Sequence, residues 1–269
     1  MAIISLSTAE DPRIAEYAGV ADPELARSGG FFVAEGRLVV RRLIEDDSFC
    51  IRSVLLSEAA QQQLGGVLAR LDPCVPIYLC PVQSFRDMTG FHIHRGCVAL
   101  VERPAPRGVR EVLEGARLVL MLESIANPDN VGGIFRNAAA FGADGVLLDA
   151  VTCDPLYRKA IRTSMGAVLR VPFARADWAE ALPIVRSSGF TVVALTPDER
   201  AEPIDRFAGN HLAERLALLL GNEGSGLSEA SAASADARVR IPTTSEVDSL
   251  NVAVAAGIAL SRLTRFADV

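Results

Sequence analysis

Long apolar runs are missing from this 269-residue chain. The longest, Val252 to Leu260, is far too short to span a bilayer as a helix. The opening stretch MAIISLSTAEDPRIAEY has no basic start followed by an apolar core, so no signal peptide is expected. Cysteine is sparse. Cys50, Cys74, Cys80, Cys97 and Cys153 are odd in number, widely spaced and without a CxxC pair, which supports neither a zinc site nor a disulfide framework. Buried free thiols in a reducing cytoplasm, and no metal, are the expectation. Lysine is almost absent: Lys159 stands alone among 27 basic residues. The formal charge of −6 argues against indiscriminate attraction to nucleic acid. Distribution matters more than the sum. Between Asp154 and Arg175 five cations (Arg158, Lys159, Arg162, Arg170, Arg175) face one acid. Arginine bias alone would produce such a segment, yet a few well-placed guanidinium forks are enough to grip phosphate.

What is present is an alternation of strand-like and helix-like segments, with 50% hydrophobic residues to bury. In the first hundred residues GGFFVAEG, IRSVLLS, VPIYLCP and GCVALVER read as strands, and RLVVRRLIEDD and EAAQQQLGGVLARLD as helices. RPAPRGVRE (103–111) carries prolines, glycine and charge without periodicity and reads as a linker. It divides a small α/β domain, 1–105, from a larger one, 106–269. In the larger domain strands are expected at RLVLMLES, GVLLD, AVLRVPF, FTVVALT, RLALLLG and ARVRIP. Helices are expected at 131–141, 155–164, 177–188, 228–234 and 250–266. That pattern predicts a parallel sheet covered on both faces, with ligands bound beyond the carboxyl ends of its strands.

Three loops leave those ends. IANPDN opens a helix, with Asn130 at the expected N-cap. Gly132 and Gly133 would each cost about 1 kcal/mol relative to alanine within a helical turn, which suggests a close approach. Arg136 should point away from the apolar face of Ile134, Ala138 and Phe141; a solvated side chain is the plain alternative to a functional one. The second loop, Gly221 to Leu227, runs G-x-x-G-x-G. It is neither the dinucleotide order G-x-G-x-x-G nor a P-loop, and Glu223 within it would repel phosphate. A neutral or cationic ligand suits it better, although a tight turn would also use these glycines. The third loop, TTSEVDSLN, leads into a helix apolar on most sides, so Ser249 and Asn251 either face a site or cap that helix.

Together the three loops resemble the motifs of the SpoU/TrmH family of RNA ribose 2′-O-methyltransferases, within the SPOUT superfamily. Asn130-Val-Gly132-Gly-Ile-Phe-Arg136 is similar to motif 1, N-x-G-x-x-x-R; LLLGNEGSGL to motif 2; IPTTSEVDSLNVAVAAGIAL to motif 3. The likeness is tightest over 118–266. FFVAEGRLVVRRL and GCVALVERP extend it to the small substrate-binding domain of many members, although Arg95 stands where glutamine is usual. The resemblance implies an α/β fold whose parallel sheet ends in a C-terminal trefoil knot. It implies S-adenosylmethionine held by the loops at Thr196, at Leu220, Gly221, Asn222, Glu223, Gly224 and Gly226, and at Ile241, Pro242, Ser249 and Leu250. It places Asn130 and Arg136 on catalytic positions, and Glu223, Ser249 and Asn251 on positions that shape the site and receive the substrate phosphate. A cytoplasmic homodimer packed through the last helix is also implied, each active site drawing on both subunits.

A sulfonium methyl is already activated, so the reaction needs an aligned ribose hydroxyl and help with its proton, not a metal. Guanidinium is a poor base. Arg136 is therefore expected to fix the neighbouring phosphate and stabilise oxyanion charge. The polymer is expected to be RNA, since only RNA has the 2′-hydroxyl. A separate N-terminal domain favours ribosomal over transfer RNA. The candidate RNA contacts are Arg37 and Arg41, four residues apart on one helix, and Arg158 and Arg162. Three rivals remain: an oxidoreductase, which lacks its glycine motif; a non-catalytic RNA-binding protein, which would not need Asn130 and Arg136; and methylation of another substrate class on the same scaffold.

Overall fold

A computed structural model describes residues 3–6, 11–17, 25, 30–46, 48–81, 85, 96–210, 214–244 and 249–264. Arg95 and positions 245–248 of the third loop lie outside them. The chain forms two compact units, Met1–Ala105 with Leu156–Gly166, and Pro106–Pro155 with Ala167–Val269.

The first unit is built on a five-stranded sheet of β1 (Ile3–Ser5), β2 (Phe31–Glu35), β3 (Ile51–Leu56), β4 (Ile77–Leu79) and β5 (Cys97–Glu102), in the order β1-β4-β3-β5-β2. Strands β1, β4 and β3 run parallel, and β5 is antiparallel to both its neighbours. Helix α1 (Arg37–Glu45) buries Val39, Val40, Leu43 and Ile44, the spacing of a single helical face. Helix α2 (Glu58–Leu68) starts where the Ser57 hydroxyl accepts the Ala60 amide at 3.2 Å. Ser57 also explains Gly96: a Cβ there would lie 2.7 Å from the Ser57 Oγ, and the backbone has φ +56. The Tyr17 hydroxyl meets Ser53 Oγ at 2.6 Å inside the core, and burial holds the phenol above its usual range.

The expectation that 106–269 forms one domain misses the excursion of Leu156–Gly166. This segment carries the short helix α5 (Arg158–Thr163) and packs on β2, an edge strand of the first sheet. Arg158 Nε and Arg162 Nη1 approach Glu35, the last residue of β2, at 4.0 and 3.9 Å. Arg42 Nη1 donates to the Met165 carbonyl at 2.5 Å. Gly166 turns against Val39 with φ +80. The segment thereby packs against an edge strand of the sheet.

The second unit is a seven-stranded, wholly parallel sheet. Its strands are β6 (Leu118–Leu122), β7 (Gly145–Leu148), β8 (Phe173–Arg175), β9 (Thr191–Leu195), β10 (Glu202–Pro203), β11 (Leu216–Leu220) and β12 (Ala237–Arg240), in the order β10-β12-β9-β11-β6-β7-β8. Val119, Met121, Leu147, Ala217 and Leu219 pack on one face with Val112, Leu113, Val185 and Phe190. These last residues belong to or adjoin α3 (Val109–Leu113) and α6 (Trp178–Ser187). Leu120, Leu122, Val146, Leu148, Leu218 and Leu220 alternate with the first set, so they point to the other face, and they too are buried. Continuous apolar strands of this kind are what a sheet covered on both sides requires.

Helix α4 (Pro128–Ala140) packs against the long C-terminal helix α9 (Val252–Leu263). Their closeness accounts for Gly133, where a Cβ would stand 2.8 Å from that of Ala253. Asn137 Nδ2 donates to the Ala253 carbonyl at 2.6 Å and lies against Gly257. Two further helices of this unit are α7 (Ile204–Asn210) and α8 (Glu229–Ser234).

Several expectations are corrected. AVLRVPF is not one strand: a 3-10 turn at Ala167–Leu169 precedes a short β8, after the left-handed turn at Met165 and Gly166. The linker stretch already contains the start of α3. Elements β1, α7 and β10 have little periodicity and were not expected. Of the cysteines only Cys80 and Cys97 are buried; desolvation pushes both thiols up to about 12. Cys50 and Cys74 are exposed. Among the described residues no helix is long and apolar enough to cross a membrane.

Candidate active site

The exits of β12, β9, β11 and β6 are neighbours along the sheet. Thr196, Leu220 and Ile241 therefore stand in one row with Glu123, at the ends from which the three loops leave. The Thr196 amide donates to Val239 O at 2.9 Å, tying the β9 exit to β12. The Glu123 amide donates to Leu220 O at 2.9 Å, tying β6 to β11. A cavity of about 580 Å³ lined by Arg110, Glu111, Glu114, Ser188 and Arg215 lies at the opposite, entry ends of the strands and holds none of the expected site residues.

Asn130 does not cap its helix. The cap is Asn127, whose Oδ1 accepts the Asp129 amide at 2.9 Å, followed by Pro128 at a position where a missing N–H costs nothing. Asn130 thus falls inside α4, with only 7% of its surface exposed. A buried side-chain amide needs partners, and it has two. Its Nδ2 donates to Glu223 Oε1 at 2.5 Å, and its Oδ1 accepts from Asn251 Nδ2 at 2.9 Å. Asn251 is oriented by its second task, capping α9: its Oδ1 accepts the amides of Ala253 at 2.9 Å and Val254 at 3.3 Å, which turns Nδ2 towards Asn130. One hydrogen-bonded chain, Glu223–Asn130–Asn251, thus joins residues from all three loops.

The second loop is shaped by Asn222. Its Oδ1 accepts the amides of Gly224 at 2.8 Å and Ser225 at 3.1 Å, and its backbone exchanges two 3.0 Å bonds with Gly226. Gly226 has φ +70 with open space at the Cβ position, so conformation selects glycine there. At Gly221 crowding selects it: a Cβ would sit 2.6 Å from the Gly226 carbonyl oxygen and nearer still to the Leu227 amide.

Other expected residues are not joined to this chain. Arg136 is exposed on α4, and it makes no hydrogen bond or ion pair among the described residues. Ser249 is exposed and Leu250 partly buried at the entrance to α9; Pro242 is exposed after β12. In the first unit Arg37 is partly buried and Arg41 exposed, with Arg41 Nη2 reaching the Gln63 carbonyl at 3.4 Å. Neither pairs with Glu45 or Asp46, and Asp47 lies outside the described residues. The basic stretch 158–175 is divided between the units: Arg158, Lys159 and Arg162 belong to the first and Arg170 and Arg175 to the second. Arg175 is already used: its Nη1 donates to the carbonyls of Asp149 at 2.9 Å and Thr152 at 3.0 Å.

Reading the sequence missed Glu123, Ser124, Asp149 and Ser228. Glu123, 9% exposed, accepts from the amide and hydroxyl of Ser228, both at 2.9 Å, and from the Ser231 hydroxyl at 2.5 Å. A carboxylate closing the apolar run LVLMLE was the available signal. Ser124 sits in left-handed backbone (φ +58); its amide and hydroxyl donate to Asp149 Oδ2 at 2.9 and 3.0 Å.

Residues 117–261 match the model of the SpoU rRNA Methylase family. An uncharacterised tRNA/rRNA methyltransferase of Mycobacterium bovis is 37% identical over 261 residues, covering 95% of this chain and 90% of the relative. A counterpart from Mycobacterium tuberculosis gives the same figures. Among solved structures, an AdoMet-bound rRNA methyltransferase from Sinorhizobium meliloti superposes with a TM-score of 0.83 at 25% identity, over 97% of each chain. The SpoU methyltransferase AviRb of Streptomyces viridochromogenes, in complex with AdoMet, shares the fold with a TM-score of 0.78 at 24% identity, over 94% of this chain and 97% of that one. With its motif residues gathered at the exits of one parallel sheet and a family match over more than half its length, the chain belongs to the SpoU family of RNA methyltransferases.

Proposed function

We propose that the protein transfers a methyl group from S-adenosylmethionine to a ribose 2′-hydroxyl of RNA, ribosomal RNA being the first substrate to test. The observation that carries this reading is the Glu223–Asn130–Asn251 chain, which holds residues from three separate loops in one arrangement at the strand exits. The residues that would hold the cofactor are Thr196, Leu220, Gly221, Asn222, Glu223, Gly224, Gly226, Ile241, Pro242, Ser249 and Leu250. Glu223 is the only ionised side chain among them, which suits a cationic sulfonium and disfavours a phosphate-bearing nucleotide. When bound, the cofactor supplies a methyl group already activated for transfer to oxygen.

The protein's own residues then have distinct tasks. Asn130 holds Glu223 and Asn251 in register. Arg136, exposed on α4, is available to an RNA phosphate and to the oxyanion that develops as the hydroxyl loses its proton. Its separation from the Asn130 chain supports a two-subunit site in which Arg136 serves the partner's cofactor. Val254, 51% exposed on α9, supports a dimer through that helix. The sheet exits also suit the trefoil knot of the family. Arg37 and Arg41 on α1, with Arg158 and Arg162 on α5, belong to one compact unit and are the proposed RNA contacts. Such substrates place the protein in the cytoplasm.

The test is incubation of the purified protein with S-[methyl-³H]adenosylmethionine and total RNA, followed by digestion to nucleosides. The expected product is a 2′-O-methyl nucleoside recovered from ribosomal RNA. Label in transfer RNA alone would redirect the substrate. Label in a base would overturn the ribose assignment. Cofactor binding without transfer to any RNA would favour a non-catalytic RNA-binding role. Sedimentation should give a dimer at micromolar concentration, and a stable monomer would remove the two-subunit site.

A further inference from the structure

Glu123 is a buried carboxylate that the reaction does not use, and no motif includes it. It follows β6 directly, and five hydrogen bonds join the pair Glu123–Ser124 to the second loop and the residues at its two ends. The Glu123 amide donates to Leu220 O, where the loop begins. The Ser124 carbonyl accepts from Asn222 Nδ2 at 2.7 Å, one step further along. The Glu123 carboxylate receives Ser228 and Ser231, where the loop ends. Both ends of the loop are thus bound to the one dipeptide that follows the neighbouring strand. Between them only the tip, Glu223 to Ser225, projects, and Asn222 Oδ1 shapes it.

The choice of side chain follows from the donors. The Ser228 N–H, the Ser228 hydroxyl and the Ser231 hydroxyl all point protons at the same place, and an ionised carboxylate is the side chain that only accepts. Ser228 is fixed in turn, because its Oγ caps α8 by accepting the Ser231 amide at 3.2 Å. Ser124 keeps an unfavourable left-handed backbone that turns its carbonyl to Asn222, and Asp149 holds it there with two hydrogen bonds.

We propose that Glu123 is a positioning residue that clamps the cofactor loop in its binding shape before the ligand arrives, and so presents Glu223 to Asn130. This rests on the reading of residues 220–227 as a cofactor loop. Pre-ordering the loop removes from binding the cost of fixing its backbone. A carboxylate with a purely architectural role in the same unit provides the comparison. Asp236 accepts the Val192 amide at 2.8 Å and Arg186 Nη2 at 2.9 Å at the entry end of the strands.

The experiment compares Glu123→Gln and Asp236→Asn by calorimetric titration with S-adenosylmethionine and by amide hydrogen exchange. Glu123→Gln turns a donor towards donors. It is expected to raise the dissociation constant by about tenfold or more and to speed exchange over residues 222–231. Asp236→Asn is expected to lower the unfolding temperature while leaving affinity within about twofold and exchange in that segment unchanged. A second variant, Ser228→Ala with Ser231→Ala, removes two of the three donors and should reproduce the weaker binding in a folded protein. Wild-type affinity and exchange in Glu123→Gln would overturn the proposal. So would an equal loss of affinity in Asp236→Asn, which would reduce the effect to general destabilisation. A wild-type protein that binds no S-adenosylmethionine would instead defeat the functional reading, while loop exchange in the variants still decides whether the clamp exists.

Discussion

Each unit buries a glutamate at the carboxyl end of a strand, and the two are treated differently. Glu35, at the end of β2, is 2% exposed and faces the guanidinium groups of Arg158 and Arg162 at about 4 Å. Glu123, after β6, receives three short bonds from neutral donors of one turn. The ion pairs of Glu35 reach residues more than a hundred positions along the chain, whereas the bonds to Glu123 converge from one turn. The first arrangement suits docking a distant segment, Leu156–Gly166, onto a sheet edge. The second suits holding a loop to a fraction of an ångström. Cations follow the same division. In the first unit Arg42, Arg158 and Arg162 are engaged in packing, whereas in the second unit Arg136 is left without a bond among the described residues.

The sharpest test of this contrast is Arg136→Ala. Loss of an electrostatic contact made in the transition state should slow methyl transfer by about 10²–10³. Stability and cofactor affinity should be nearly unchanged, since the side chain holds no hydrogen bond or ion pair among the described residues. Single-turnover transfer set beside calorimetric binding measures both, and normal turnover would remove Arg136 from the reaction.

Glu35→Ala should behave in the opposite way. Removing one partner of a buried ion pair costs several kcal/mol, but Arg158 and Arg162 keep 25% and 46% of their side chains exposed, and water recovers part of that. A loss of about 1–3 kcal/mol in denaturant unfolding is expected, with S-adenosylmethionine affinity intact. A drop in cofactor affinity would break the division of roles between the units.

Arg37 and Arg41 sharpen the comparison on the side of the polymer. Replacing both with alanine should weaken RNA binding and lower the slope of log affinity against log salt by about one unit per lost phosphate contact. An unchanged slope would move the RNA contacts to other residues. The smallest effect belongs to Asn251→Ala. Loss of the α9 cap should cost about 1 kcal/mol of stability, with a lower transfer rate because Asn130 loses the partner of its oxygen. Thermal unfolding at fixed protein concentration reads the first effect and steady-state kinetics the second.

Much of this was legible from the chain. The alternation of β6 to β9 with helices, and the apolar strands of the second unit, follow from periodicity and continuous burial. The three loops were legible because they combine asparagines, glycines, serines and carboxylates where strands should end. The N-cap of α4 lies three residues before the expected one, because Asn127 and Asn130 are both plausible caps and Pro128 suits the first helical position. Strand β8 is shorter than its apolar run suggests, because AVLRVPF fits a buried 3-10 turn as well as a strand.

By itself the sequence determined which elements form and which polar residues leave the strand ends, because local propensity and burial pattern act over a few residues. Only the tertiary structure decided that Asn130, Glu223 and Asn251 form one chain, that Glu123 and Ser124 grip both ends of the second loop, and that Leu156–Gly166 belongs with the first unit. Those contacts join residues about 90 to 125 positions apart. Their partners are chosen by strand order and by the need of each buried polar group for a bond, and neither is written in any local stretch of sequence.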